Sequence, residues 1–166
     1  CEENPDMDDC ILGAGSFGIV SKIKCENDSN LKKKCVLAAK KVLKISEEPD
    51  RIIRIEDVRR EISILNKLKD KSSYIINLYH SEEAKTGEYV TLYLELINGY
   101  DLVDYNPIVD MKELDKKTLI TGLVNGLKII HDNNILHCDI KPANILINTN
   151  VKPHPIPVYV DFGASI

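Results

Sequence analysis

What the sequence lacks narrows its function before any motif is considered. No apolar run approaches the roughly 20 residues that span a bilayer, and no signal-peptide pattern stands at the start. The five cysteines (Cys1, Cys10, Cys25, Cys35 and Cys138) are odd in number and form no C-x-x-C pair. That disfavours a disulfide framework and a zinc site alike, and points to a reduced, intracellular protein, cytoplasmic or nuclear. The four histidines show no metal-ligand spacing. Positive charge is not in excess: a formal charge of −4 gives no reason to expect nucleic acid or an anionic membrane as a partner. Repeats and low-complexity segments are missing too, and nothing speaks to oligomeric state. What is present is ordinary for a globular chain: 166 residues, 43% hydrophobic and 29% charged, enough for one domain with a sizeable core. The chain begins with Cys rather than Met and stops three residues after Gly163, so both ends read as cut.

The stretch most plainly written for chemistry is His137-Cys138-Asp139-Ile140-Lys141-Pro142-Ala143-Asn144. It puts an acid, a cation and an amide within eight residues. Pro142 forbids a helix and biases Lys141 toward extended backbone, which predicts a loop. Seventeen residues after Asn144 comes a second acid, in Asp161-Phe162-Gly163, behind the apolar run Val158-Tyr159-Val160. Two acids and an amide beside short strands suit a divalent metal held by oxygen.

Upstream, Gly13-Ala14-Gly15-Ser16-Phe17-Gly18 has a spacing shared by dinucleotide-binding turns and by phosphate-covering hairpins. A dinucleotide fold needs a helix directly after the last Gly. Ile19 to Cys25 is instead β-branched and partly alternating, which predicts a strand. Cys35 to Val42 predicts another, carrying Lys40, with Lys41 on the opposite face. A helix is expected from about Pro49 or Asp50 to Leu68, with Ile55, Val58, Ile62, Leu65 and Leu68 as its apolar stripe and Arg51, Arg54, Arg59 and Arg60 solvated. Glu61 falls inside that stripe, and an inward carboxylate needs a cation, for which Lys40 is the natural partner. Tyr74–His80 and Tyr89–Ile97 are expected strands joined by a turn over Glu82–Glu88. A longer helix is expected from about Met111 to Asn133, burying Leu119, Leu123, Leu127 and Ile130. Asn148 to Pro157, with three prolines, reads as a surface loop.

In this order, the motifs resemble those of eukaryotic-type protein kinases, serine/threonine class, as far as D-F-G. The resemblance implies an α+β fold. A small lobe and hinge, a five-stranded antiparallel sheet plus one helix, would occupy 1–97. The truncated start of a helical large lobe would occupy 98–166. It further implies ATP and Mg²⁺ as cofactors and a protein substrate, with a fragment inactive by itself. Asp139 would orient the attacking hydroxyl and accept its proton, and Lys141 would stabilise the transferring phosphoryl group. Asn144 and Asp161 would hold the metal. Gly13, Ala14, Gly15, Ser16, Phe17 and Gly18 would close over the phosphates, and Lys40, held by Glu61, would reach them. Val20, Ala38 and Leu146 would sandwich adenine, and Leu94 would guard the back of its pocket. Backbone groups of Glu95 and Ile97 (or Leu96) would meet the adenine edge, and Asp101 the ribose or a basic substrate residue. Leu65, Leu78, His137 and Phe162 resemble the stack that aligns an active kinase. The lysine in D-I-K-P-A-N is the serine/threonine pattern. Cys138 departs from the usual Arg, and a thiol cannot grip a phosphorylated activation loop bidentately. The alternative is a naturally truncated kinase-like module that holds nucleotide or engages a full kinase.

Overall fold

A computed structural model describes residues 11–15, 18–24, 37–48, 51–105 and 111–166; of 13–15, 18, 23–24, 37–44, 46–48 and 51–53 it describes the backbone alone. The chain forms two compact units, one of residues 1–62 and 78–96, the other of 63–77 and 97–166.

In the first unit, strands β1 (Ile11–Gly15), β2 (Gly18–Lys24) and β3 (Leu37–Lys44) are followed by the short β4 (Ser46–Glu48) and β5 (Arg51–Ile53). Helix α1 (Ile55–Leu68) begins here, and β6 (Leu78–Glu83) and β7 (Tyr89–Glu95) complete the unit. Five strands lie in the order β1-β2-β3-β7-β6, each antiparallel to its neighbour. Val90 and Leu92 alternate into the core with Leu78, while Tyr89 stays exposed, the period-2 pattern of a half-buried sheet. The β6–β7 turn closes through Gly87, whose φ of 72° suits a residue without Cβ.

Two expectations need correction here. The helix begins at Ile55, not near Pro49, because β-branched Ile52 and Ile53 are spent in a strand pairing β5 with β4. Arg54 O then accepts the first helical bonds, from Asp57 N at 3.1 Å and Val58 N at 3.3 Å. On α1, Val58, Glu61, Leu65 and Leu68 are buried, Ile55 and Ile62 are half-buried, and Arg59 and Arg60 are exposed, as is Arg54 just before the helix. The second correction concerns Tyr74–Asn77, which lie outside the five-stranded sheet and belong to the other unit.

That unit contains β8 (Gly99–Asp101), α2 (Glu113–Asp132), a 3-10 turn at Pro142–Asn144, β9 (Ile145–Asn148) and β10 (Ile156–Tyr159). Its sheet runs β10-β9-β8, all antiparallel. Gly99 is required here, since a Cβ would lie 1.7 Å from the Ile147 carbonyl oxygen. Tyr74–Asn77 run beside β10: Tyr159 N donates to Tyr74 O at 2.8 Å and Ile76 N to Tyr159 O at 3.0 Å.

Helix α2 ends at Asn133, whose Nδ2 donates to Ile129 O at 2.7 Å, before Asn134 turns left-handed at φ 55°. Its buried face differs from the leucine stripe. Leu119, Gly122, Gly126 and Ile130 are buried, Leu123 and Leu127 are half-buried, and Ile120 and Val124 stand 61% and 62% exposed. The glycines bring the helix close to β10, where a Cβ at Gly126 would lie 2.8 Å from the Tyr159 ring. The Tyr159 hydroxyl donates to Leu123 O at 2.9 Å. The proline-bearing loop before β10 is tied back to α2 by a His154 Nδ1–Asp115 carboxylate contact. No helix among the described residues is long and apolar enough to cross a membrane.

Candidate active site

The loop from His137 to Asn144 is held between α2 and β9 by backbone that the sequence dictates locally. Pro142 opens the 3-10 turn, and Asn144 N donates to Lys141 O at 2.9 Å. The turn brings three predicted residues together. Asp139 Oδ2 accepts from Lys141 Nζ at 2.8 Å and from Asn144 Nδ2 at 2.8 Å, and the same amide nitrogen donates to Asp139 O at 2.9 Å. The Lys141 ammonium, then burial acting the other way, then the Asn144 amide set the Asp139 carboxyl below its ordinary value of 3.8. Asp139 in turn raises Lys141 above its usual range, with a further electrostatic contribution from Asp161.

Asp161 follows β10 and Val160, and its φ of 60° is left-handed. Val160 N donates to Asn144 O at 3.1 Å, so the second acid is anchored to the turn that carries the amide. His137, 1% exposed, bridges both acids' backbones: Asp139 N donates to its Nδ1 at 3.4 Å, and its Nε2 lies 3.1 Å from Val160 O. With Nδ1 accepting, Nε2 carries the proton and donates to that carbonyl. The Phe162 ring packs 4.7 Å from the His137 ring, and Phe162 is buried.

Cys138 is exposed at φ 62°, with Sγ 3.5 Å from Leu136 O. Leu146 pairs across β9–β8 with Asp101, whose Oδ1 accepts from Val103 N at 2.9 Å and Asp104 N at 2.8 Å. One oxygen of Asp101 therefore shapes its own turn. Ile97 is half-buried where the chain enters this unit.

The remaining candidates lie in the first unit. Gly13, Ala14 and Gly15 are in β1 and Gly18 opens β2; Ser16 and Phe17 fall outside the described residues. Val20 pairs with Gly13 and Lys41, and Ala38 with Ile23 and Glu95. Lys40 pairs with Ser21 and Tyr93, and its side chain is beyond the description, so its pairing with Glu61 is too. Glu61 is only 4% exposed, the inward placement its helical position implied. Leu94 pairs with Ala39 and Leu78, and Glu95 ends β7.

For a divalent cation, Asn144 and Asp161 offer a suitable donor chemistry. The Asn144 amide nitrogen is committed to Asp139, which leaves its carbonyl oxygen, and Asp161 adds a carboxylate. Hard oxygen donors of this kind fit magnesium. One contributor gave no sequence signal: Ser165, whose Oγ donates to His137 O at 3.0 Å. A single serine after D-F-G belongs to no periodicity and no metal or acid–base pattern.

A family model described as protein kinase domain matches residues 8–166. Serine/threonine-protein kinase pakG of Dictyostelium discoideum is 36% identical over 166 residues, covering 95% of this chain and 12% of its own length. Human myosin light chain kinase 3 is 36% identical over 159 residues, covering 93% and 17%. Human death-associated protein kinase 2 is 31% identical over 156 residues, covering 93% and 40%. The chain thus spans well under half the length of each of these relatives.

Proposed function

The chain belongs to the protein kinase family, and on that premise we propose that the full-length protein transfers the γ-phosphoryl group of ATP to Ser or Thr hydroxyls of protein substrates. The observation that best supports this reading is the geometry around Asp139. A carboxylate held ionised by Lys141 and oriented by Asn144 suits a group that aligns a hydroxyl and takes its proton as the bond to phosphorus forms. Lys141, charged and half exposed beside it, is placed to meet negative charge on the transferring group.

In this reading Asn144 and Asp161 hold magnesium, which when bound neutralises charge on the phosphate oxygens. The Gly13–Gly18 segment covers the phosphates, and Lys40, braced by Glu61, positions them. Val20, Ala38 and Leu146 sandwich the adenine. Leu94 guards the back of its pocket, backbone groups of Glu95 and Ile97 (or Leu96) meet the adenine edge, and Asp101 lies near the ribose or a basic substrate residue. Residues 1–97 then act as small lobe and hinge and 98–166 as the beginning of a large lobe. The exposed Ile120 and Val124 on α2 are read as surface that further large-lobe helices cover. The odd number of cysteines, the lack of a C-x-x-C pair and the −4 charge support an intracellular site of action on protein rather than nucleic acid.

Phosphoamino-acid analysis after incubating the full-length protein with labelled ATP, magnesium and a mixed protein substrate tests the assignment. Label on Ser and Thr, lost on chelating the metal, is expected. Label on Tyr alone would overturn the substrate class. No label, with nucleotide still bound, would favour the truncated binding module.

A further inference from the structure

One buried hydroxyl in the site has no part in that reading. Ser165 is 0% exposed, and its Oγ donates to His137 O. Alanine would fill such a place without a polar group to desolvate, so the serine is accommodated by virtue of its partner. That partner carbonyl belongs to the peptide joining His137 to Cys138. Cys138 is a non-glycine residue at φ 62°, a conformation that persists only where its surroundings impose it. Orienting the His137–Cys138 peptide plane therefore acts at the step where the backbone is least comfortable, one residue before Asp139. Around it, Leu136 and Ile166 exchange backbone bonds at 2.8 and 3.0 Å, and Ser165 N donates to Phe162 O at 3.0 Å.

We propose that Ser165 is a positioning residue for Asp139. Its hydroxyl holds the His137–Cys138 peptide in the orientation that lets Cys138 turn left-handed and delivers the Asp139 carboxylate to Lys141 and Asn144. It also ties the chain after D-F-G to the loop carrying the proton acceptor. The kinetic half of this inference rests on the phosphoryl-transfer reading; the half concerning loop geometry does not.

The test uses full-length wild-type protein, Ser165→Ala, and Gly122→Ala as a control that loosens the same unit away from the site. In Ser165→Ala, kcat is expected to fall about fivefold, the worth of one hydrogen bond, with KM for ATP unchanged. The Asp139 amide, which donates to His137 Nδ1, should exchange with deuterium faster than in wild type. Gly122→Ala should lose stability while keeping kcat and the Asp139 exchange rate. Wild-type kcat and wild-type exchange at Asp139 in Ser165→Ala would overturn the proposal. Equal acceleration of Asp139 exchange in Gly122→Ala would overturn it as well, since general loosening would then suffice. If wild-type protein transfers no phosphate, the reaction assigned above falls, and the exchange measurement alone decides the positioning role.

Discussion

Asp139 divides one carboxylate oxygen between an ammonium and an amide, and that division governs its titration. Its folded pKa lies below 3.8, so the stabilisation it contributes is present above that value and is lost as pH falls through the folded pKa. Both partners are a third or more exposed, so solvent screening keeps this contribution to stability small. Catalysis is a more sensitive reporter. Lys141→Met removes the largest cause of the depression, so the protonation of Asp139 moves upward. The acid limb of the kcat/KM profile should shift to higher pH in that variant; an unmoved limb would show that Asp139 is not the group it reports. Cys138 supports a second prediction. A thiol lacks the paired donors that grip phosphate, so phosphatase treatment of the active full-length protein should leave kcat unchanged. A protein inert until phosphorylated beyond D-F-G would contradict this.

Among the elements, the contact of α2 with β10 depends on two missing side chains. An added Cβ at Gly126 would sit 2.8 and 2.9 Å from the Tyr159 ring and 3.0 Å from Tyr74 Cβ. Alanine gains about 1 kcal/mol of helix propensity, but overpacking costs about 1–3 kcal/mol. Gly126→Ala should therefore be destabilising by about 1 kcal/mol net, read from the urea midpoint; a stabilised variant would mean that the helix shifts freely. Tyr159→Phe should cost about 1 kcal/mol through the bond to Leu123 O. This contact also shows what the sequence conceals. Leucine periodicity locates α2 to within two residues at its start and one at its end, yet misplaces its buried face, because glycine carries no hydrophobic signal. For the same kind of reason, Ile52 and Ile53 extend an apparent helix that the backbone uses as strand. Tyr74–Asn77 have the β-branched look of a sheet strand, but they run beside β10 because pairing partners are not encoded in the segment itself.

Across the whole molecule, the placement of side chains was legible where it follows from residue type at short spacing: Asp139, Lys141 and Asn144 share one loop and meet there. What stayed hidden resides in backbone geometry, such as the left-handed turns at Cys138 and Asp161 and the carbonyl held by Ser165. The first unit poses one sharp question. The β3 register sets Lys40 opposite Ser21 and Tyr93, and Lys41 opposite Val20 and Leu92. The L-A-A-K resemblance assigns the phosphates to Lys40. Lys40→Met should abolish transfer while Lys41→Met retains it, and the reverse result would move the role by one residue along the strand.

The most direct measurement is single-turnover transfer from bound ATP by full-length protein, wild type against Asp139→Ala, with nucleotide affinity measured on the same samples. The account predicts unchanged ATP affinity and a transfer rate lower by about 10²–10⁴-fold. Transfer at the wild-type rate in Asp139→Ala would contradict it.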